Sequence, residues 1–234
     1  MRGRLVAMGK MDYGQAWDIQ RAIGQAVRAG TLPDTLLLVE HPPVYTVGRA
    51  ARGALTNLVW DAEHLRAEGI QFYEVDRGGD ITYHGPGQLV GYPILDLNRH
   101  GRDLHGYLRA LEAALIAALG RFGIRAERMP PHTGVWVGSD KVAAIGVKAS
   151  HWITQHGFAL NVDPDLAHFA GIIPCGIRDK GVSSMAVLLN RPVTLAEVAP
   201  VVVPELAGAL GLTGWDEMAL AEALAASGAW ARVE

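Results

Sequence analysis

Cysteine is nearly absent from this chain of 234 residues: Cys175 stands alone, which excludes an internal disulfide. Its thiol is left with burial, metal ligation or nucleophilic attack, and a reducing compartment is the natural setting. Lysine is almost as scarce, at Lys10, Lys141, Lys148 and Lys180 only, while every other side-chain cation is arginine. There is no basic excess either. A net charge of −3 argues against a general nucleic-acid binder. Long apolar runs are missing, and stretches such as Leu36–Leu38 and Val201–Val203 are sized for a core, not a bilayer. The segment Met1-Arg2-Gly3-Arg4-Leu5 has charge but no apolar stretch behind it to serve as a signal sequence. The expected location is therefore the cytoplasm, with no membrane and no nucleic acid as partner. No Gly-Lys-Ser/Thr ending marks a phosphate loop.

What is present is core-forming material. Half of the residues are hydrophobic and only 19% are charged, which excludes a disordered chain. The length suits one domain over residues 1–234. Tyr13–Ala29 reads as an amphipathic helix, with Ala16, Ile19, Ile23 and Val27 near one face. Thr35–Glu40 and Val44–Gly48 read as strands parted by His41-Pro42-Pro43. Phe72–Val75, Ile81–Tyr83 and Gln88–Leu95 are further short strands cut by glycine-rich turns. Leu104–Phe122 is an Ala/Leu-rich helix that stops near Gly123. Gly134–Val137, Lys141–Val147 and His151–Val162 form a meander of strands. Thr194–Leu210 is a helix with Thr194 and Glu197 in capping-box spacing, and Glu217–Ala225 is a last helix. Helix, many strands with one inserted helix, then helices is an α+β order.

Four segments bear chemistry. Cys175 sits between Pro174 and Gly176, a rigid approach on one side and an uncrowded backbone on the other. The turn presents a nucleophile, or merely holds a small buried hydrophobe. Arg77-Gly78-Gly79-Asp80-Ile81-Thr82-Tyr83-His84-Gly85-Pro86-Gly87-Gln88 lets backbone amides approach a ligand, or makes two tight hairpin turns. On a regular strand Lys141 shares a face with Ala143, Ile145 and Val147, and Lys148 lies on the other. Partly desolvated there, Lys141 is a base or electrostatic activator; at an edge it merely blocks aggregation. Gly157 and Ala159 make one strand face shallow, suited to a groove or to a packed helix. His151 and His156 are five residues apart, which suits neither a helix face nor a strand face, so no metal is expected.

These segments together resemble the octanoyltransferase family, the lipoyl(octanoyl) transferases of the lipoate-protein ligase B type. The matching stretches are Glu40-His41-Pro42-Pro43-Val44-Tyr45-Thr46, Arg77 through Gln88, Lys141 through Gly146, His156 through Asn161, and Pro174-Cys175-Gly176-Ile177. They occur in family order over most of residues 40–185, with no departure at a position the family treats as catalytic. The resemblance implies a mixed, mainly antiparallel sheet flanked by helices, like that of biotin- and lipoate-protein ligases. It implies that Cys175 is the acyl-thioester nucleophile and that Lys141 lowers its pKa. By the same carry-over, Arg77, Gly78, Gly79, Asp80, Ile81, Thr82, Tyr83 and His84, with Ala144, Ile145 and Gly146, line the acyl site. Gly157, Phe158 and Ala159 complete it. The implied donor is octanoyl-acyl carrier protein. The implied acceptors are lipoyl domains of 2-oxoacid dehydrogenase complexes and the glycine cleavage H protein, served by a monomer without cofactor.

The chemistry suits these roles. Exchange of one thioester for another is nearly balanced, and aminolysis to an amide is downhill, so no ATP is needed. Burying about six methylenes contributes on the order of 5 kcal/mol, and Gly146, Gly157 and Ala159 are the positions expected to leave room. Arg49, Arg52 and Arg77 are expected to meet an acidic carrier protein. Two other readings compete. An ATP-dependent lipoate ligase of the same fold would not need Cys175, and a non-catalytic acyl- or carrier-binding protein would show no turnover.

Overall fold

The computed structural model describes residues 1–53, 55–173 and 180–228. Among them, helix α1 spans Tyr13–Ala29, capped by the Asp12 carboxylate, which accepts from Gly14 N (2.8 Å). Ala16, Ile19, Ile23 and Val27, the stripe expected from the 3.6-residue period, are buried. Helix α2 is Ala62–Ala67, α3 is Leu104–Arg121 and α4 is Met185–Leu189. Helix α5 is Leu195–Ala209, whose capping box between Thr194 and Glu197 forms as its spacing predicts. Helix α6 is Leu220–Ser227.

The strands are β1 (Arg2–Lys10), β2 (Thr35–Glu40), β3 (Val44–Val47), β4 (Gln71–Glu74), β5 (Ile81–His84) and β6 (Gln88–Ile94). They continue with β7 (Glu127–Met129), β8 (His132–Val137), β9 (Asp140–Ser150), β10 (Ile153–Asn161), β11 (Gly181–Val182) and β12 (Gly214–Glu217). The main sheet runs β12-β1-β2-β6-β10-β9-β8-β7, with β11 paired to β9; β4-β3-β5 form a second, small sheet. Antiparallel pairs predominate, and β1 lies parallel to both of its neighbours. This is the α+β architecture the sequence order implies.

Two differences have one cause. Glu217 was expected to open the last helix, but it ends β12, whose Gly214–Glu217 pairs with Arg2–Leu5 of β1. Neither strand stands out in the sequence. β12 is short of apolar residues and becomes a strand by pairing with β1 across more than 200 residues of chain, while β1 is held on its other side by β2.

The main sheet buries both faces. One packs on α3 and α5 through Leu36, Leu38, Leu89, Ala143, Val147 and Phe158. The other packs on α1 and α6 through Val6, Leu37, Val90, Tyr92 and Ala159. The small sheet has its own apolar cluster, including Tyr45, Ile81, Tyr83 and Phe169. No described helix is long and apolar enough to cross a membrane.

Glu112 of α3 is fully buried and fastens the β7–β8 hairpin to this body. One oxygen accepts from Arg109 (2.6 Å) and Arg128 (3.0 Å), the other from the Gly134 amide (3.1 Å). Both arginines reach solvent, but the Gly134 N–H has no such escape. Glu112→Ala is expected to destabilise the chain by on the order of 2 kcal/mol. A fall in the urea midpoint at unchanged m-value checks this.

Candidate functional site

The site begins with an irregularity in β9. Val135 of β8 pairs with Ala143, and the next residue, Trp136, pairs with Lys141. One step on β8 therefore spans two on β9, a bulge at Val142. Val135, Val142 and Ala143 belong to the core under α3 and α5, so Trp136 and Lys141 face the other way. This corrects the alternation expected from sequence. Lys141 does not share a face with Ala143, Ile145 and Val147; it joins Ala144, Gly146 and Lys148. Its side chain is buried, with Nζ 4.8 Å from the centroid of the Trp136 ring, a cation–π contact.

Over this face lies the loop between β4 and β5. Asp76 accepts from Lys148 Nζ (2.5 Å) and His156 Nε2 (2.8 Å). The His156 hydrogen bond, followed by that of Lys148, holds the Asp76 carboxyl well below the usual carboxylate range despite partial burial. Gly78 N donates to Val147 O at 2.8 Å. Arg77 is buried and donates through Nε and Nη2 to Thr46 and through Nη1 to Gly78 O. Arg77 is thus a pillar of the loop and not a surface cation, contrary to the carrier-docking expectation; Arg49 and Arg52 are exposed.

Between loop and sheet is a cavity of about 60 Å³ that opens to solvent. Arg77 through His84, Ala144 through Gly146, Gly157 through Ala159 and Lys141 all line it. The room it offers is not where small residues suggested. A Cβ on Gly146 would lie 3.1 Å from Arg77 Cδ and Gly78 O, and one on Gly157 would collide with Gly91 O. Both glycines serve close backbone approach instead. Cys175 lies outside the described residues. On its N-terminal side Ile173 N donates to Asn57 O (2.8 Å). On its C-terminal side Gly181 and Val182 pair with Asp140 and Lys141, and Ser183 N donates to Lys141 O (3.0 Å).

Tyr13, Gln88, Tyr92, His156, Asn161, Phe169 and Val182 also line the cavity, and sequence reading did not single them out as site residues. For Gln88 and Tyr92 a signal existed: with Val90 they occupy alternate positions of β6, one face of a strand. Gln88 donates to Asn161 Oδ1 (2.9 Å), and Asn161 donates to Ser183 O (2.9 Å), joining β6, β10 and the chain leading into α4. Tyr13 gave no such warning, because it reaches the cavity from the first turn of α1. Among the described residues, no three His, Cys, Asp or Glu side chains gather into a metal site. His151 is exposed in the β9–β10 turn, while His156 is buried.

Three histidines here are buried: His41, His84 and His156. His41 Nδ1 lies 2.8 Å from Met11 O, so it must donate there, which leaves Nε2 to accept from the Tyr92 hydroxyl at 2.7 Å. Burial pushes His41 down to about 4. Burial lowers His84 well below the ordinary histidine value, and the neighbouring His41 and Arg77 add to it. Burial also lowers His156, against the pull of Asp76. In each case the unfolded chain binds a proton at a higher pH than the folded one. Stability is therefore complete above about pH 6.5 and is lost as pH falls toward the folded values, by on the order of 3 kcal/mol for His41 alone. Denaturant midpoints at pH 7.5, 6 and 5 are expected to fall in that order, and more shallowly in His41→Gln. A flat profile in the parent chain would show that these rings are not buried neutral.

Comparison with known proteins agrees with this geometry. The family model described as the lipoyl protein ligase A/B catalytic domain matches residues 12–207. An octanoyltransferase of Rubrobacter xylanophilus is 52% identical over 207 residues, 88% of this chain and 92% of that protein. One from Solibacter usitatus is 54% identical over 181 residues, 77% of this chain and 81% of that protein. Among solved structures, lipoate-protein ligase A bound with ATP superposes with a TM-score of 0.75 at 16% identity, covering 97% of this chain and 93% of that one. Biotin protein ligase from Aquifex aeolicus, in complex with biotin and ATP, gives 0.55 at 15% identity, covering 89% and 70%. At such identities the structural likeness speaks for the fold, which is that of the lipoate and biotin ligases. The sequence relatives speak for more: this chain belongs to the lipoyl protein ligase A/B catalytic domain family and, within it, to the octanoyltransferases.

Proposed function

We propose that the chain transfers octanoate in two steps through Cys175, with Lys141 as the proton carrier. In the first, the Cys175 thiol gives its proton to neutral Lys141 and the thiolate attacks the thioester carbonyl of octanoyl-acyl carrier protein. The carrier's thiolate leaves and takes the proton back from Lys141. In the second, the lysine amine of a lipoyl domain attacks the acyl-Cys175 carbonyl, Lys141 takes the proton that the amine loses as the amide forms, and it returns that proton to the departing Cys175 thiolate. One thioester bond is exchanged for another, then for an amide, and no oxidant or nucleotide enters the balance.

The observation that carries this reading is the placement of Lys141. A bulge turns it out of the α3-facing core into the cavity lined by the glycine-rich loop, beside chain that leads directly out of the Cys175 segment. Arg77 through His84, Ala144 through Gly146 and Gly157 through Ala159 supply the walls that hold the acyl chain. The acceptors are lipoyl domains, those of 2-oxoacid dehydrogenase complexes and the glycine cleavage H protein, met in the cytoplasm by a monomer.

Intact-mass measurement after incubation with octanoyl-acyl carrier protein is expected to show one added octanoyl group, absent in Cys175→Ser. Lys141→Ala is expected to slow that acylation by roughly 10²–10⁴-fold at neutral pH. An unmodified parent chain that still octanoylates a lipoyl domain would refute the covalent route.

A further inference from the structure

The cavity has two unlike ends, and the strand registers order them. Ala144 pairs with Ala159 and Gly146 with Gly157 across β9 and β10. Phe158 pairs with Gly91 across β10 and β6, which sets Tyr92 beside Gly157. Lys141 lies at the other end, near the level of Asn161. From Asn161 to Gly157 is four residues of strand, about 13 Å. An extended octanoyl group measures roughly 9 Å from carbonyl to terminal methyl. With its carbonyl at the Lys141 end, its last carbons come to rest before Tyr92.

Tyr92 is built to stay there. It is 3% exposed, and its hydroxyl donates to His41 Nε2, whose ring donates in turn to Met11 O. The ring cannot swing aside without leaving buried polar atoms unpartnered. Because the hydroxyl is engaged on His41, what remains for the cavity is the apolar body of the ring, a suitable surface for a methyl end.

We propose that Tyr92, tethered by His41, is the stop that sets the length of acyl chain the cavity accepts. The inference rests on the reading that the acyl carbonyl is handled at the Lys141 end. An added methylene in a closed apolar pocket is discriminated by roughly 10–200-fold, and that selectivity requires a wall that does not yield. Tyr92→Leu removes the far part of the wall, whereas Tyr92→Phe keeps the ring and removes the tether.

The test compares kcat/KM for octanoyl-, decanoyl- and dodecanoyl-acyl carrier protein, read as acylated lipoyl domain. Tyr92→Leu is expected to raise the decanoyl-to-octanoyl ratio at least tenfold. Tyr92→Phe is expected to keep the octanoyl preference with a smaller rise. A ratio within twofold of the parent in folded Tyr92→Leu overturns the proposal. Should that variant not fold, octanoic acid bearing a diazirine at its terminal carbon is photolysed on the parent chain and mapped by peptide mass spectrometry. Labelling at Tyr92 or His41 supports the stop, and labelling confined to Arg77–Thr82 overturns it. Neither readout requires the acyl-Cys175 adduct, so failure of the covalent route shows separately, as a missing mass increase.

Discussion

The site depends on one carboxylate. Asp76 takes a proton donor from each of two neighbouring strands, Lys148 of β9 and His156 of β10, and so clamps the β4–β5 loop onto the main sheet. Charge-assisted hydrogen bonds of this kind are among the stronger polar contacts, and here they act next to the flexible pair Gly78-Gly79. Arg77, next in the chain, continues the clamp by donating to Thr46 of the small sheet. Loop, main sheet and small sheet are thereby locked around a common space. A backbone bond from Gly78 N to Val147 O works beside the clamp in holding the glycine-rich hairpin over the sheet face.

The walls of that space differ in character along its length. At one end stands Lys141, buried against Trp136 and flanked by chain that leads from the Cys175 segment. At the other, Tyr13, Tyr92, His41, His84 and His156 form a cluster kept uncharged by burial. Hydroxyls and imidazoles there satisfy one another, so the cluster presents ring surfaces instead of charge. The proposed transfer would use both ends: the Lys141 amine beside a reactive carbonyl, and a neutral wall of rings against a saturated tail. The fold supplies the platform, and these side chains give it this chemistry and not another.

Legibility followed the range of the interaction responsible. The helices α1, α3 and α5 were readable because their determinants are local: apolar spacing, an Ala/Leu-rich run that stops near Gly123, the Thr194–Glu197 box. The glycine-rich loop and the small-residue strands were readable as a resemblance, because the residues that line a cavity of this kind recur as short motifs. Tyr13 escaped notice because nothing in its neighbourhood in the sequence separates a cavity wall from a core aromatic, and Tyr92 because its place on one face of β6 with Gln88 and Val90 does not by itself distinguish cavity from core. Arg77 was expected, on charge alone, to meet a carrier protein as well as to line the acyl site, and Thr46, to which it donates, is 31 residues away.

The sequence by itself determined which elements are helical, where the chain turns, and which residue types are available for acyl transfer: one thiol, and a lysine at the head of a small-residue strand. Only the tertiary structure decided which way that lysine points. The bulge at Val142 exists because β8 and β9 must both satisfy their hydrogen bonds while keeping Val135, Val142 and Ala143 in the core. That compromise between two strands, not any preference of Lys141, delivers its side chain to the cavity. The same holds for β12, which becomes a strand by pairing with β1 across the length of the chain, and for Tyr92, which becomes a fixed wall only through His41. Pairings between distant parts of a chain leave no period in its sequence, and there the reading of residues gives way to geometry.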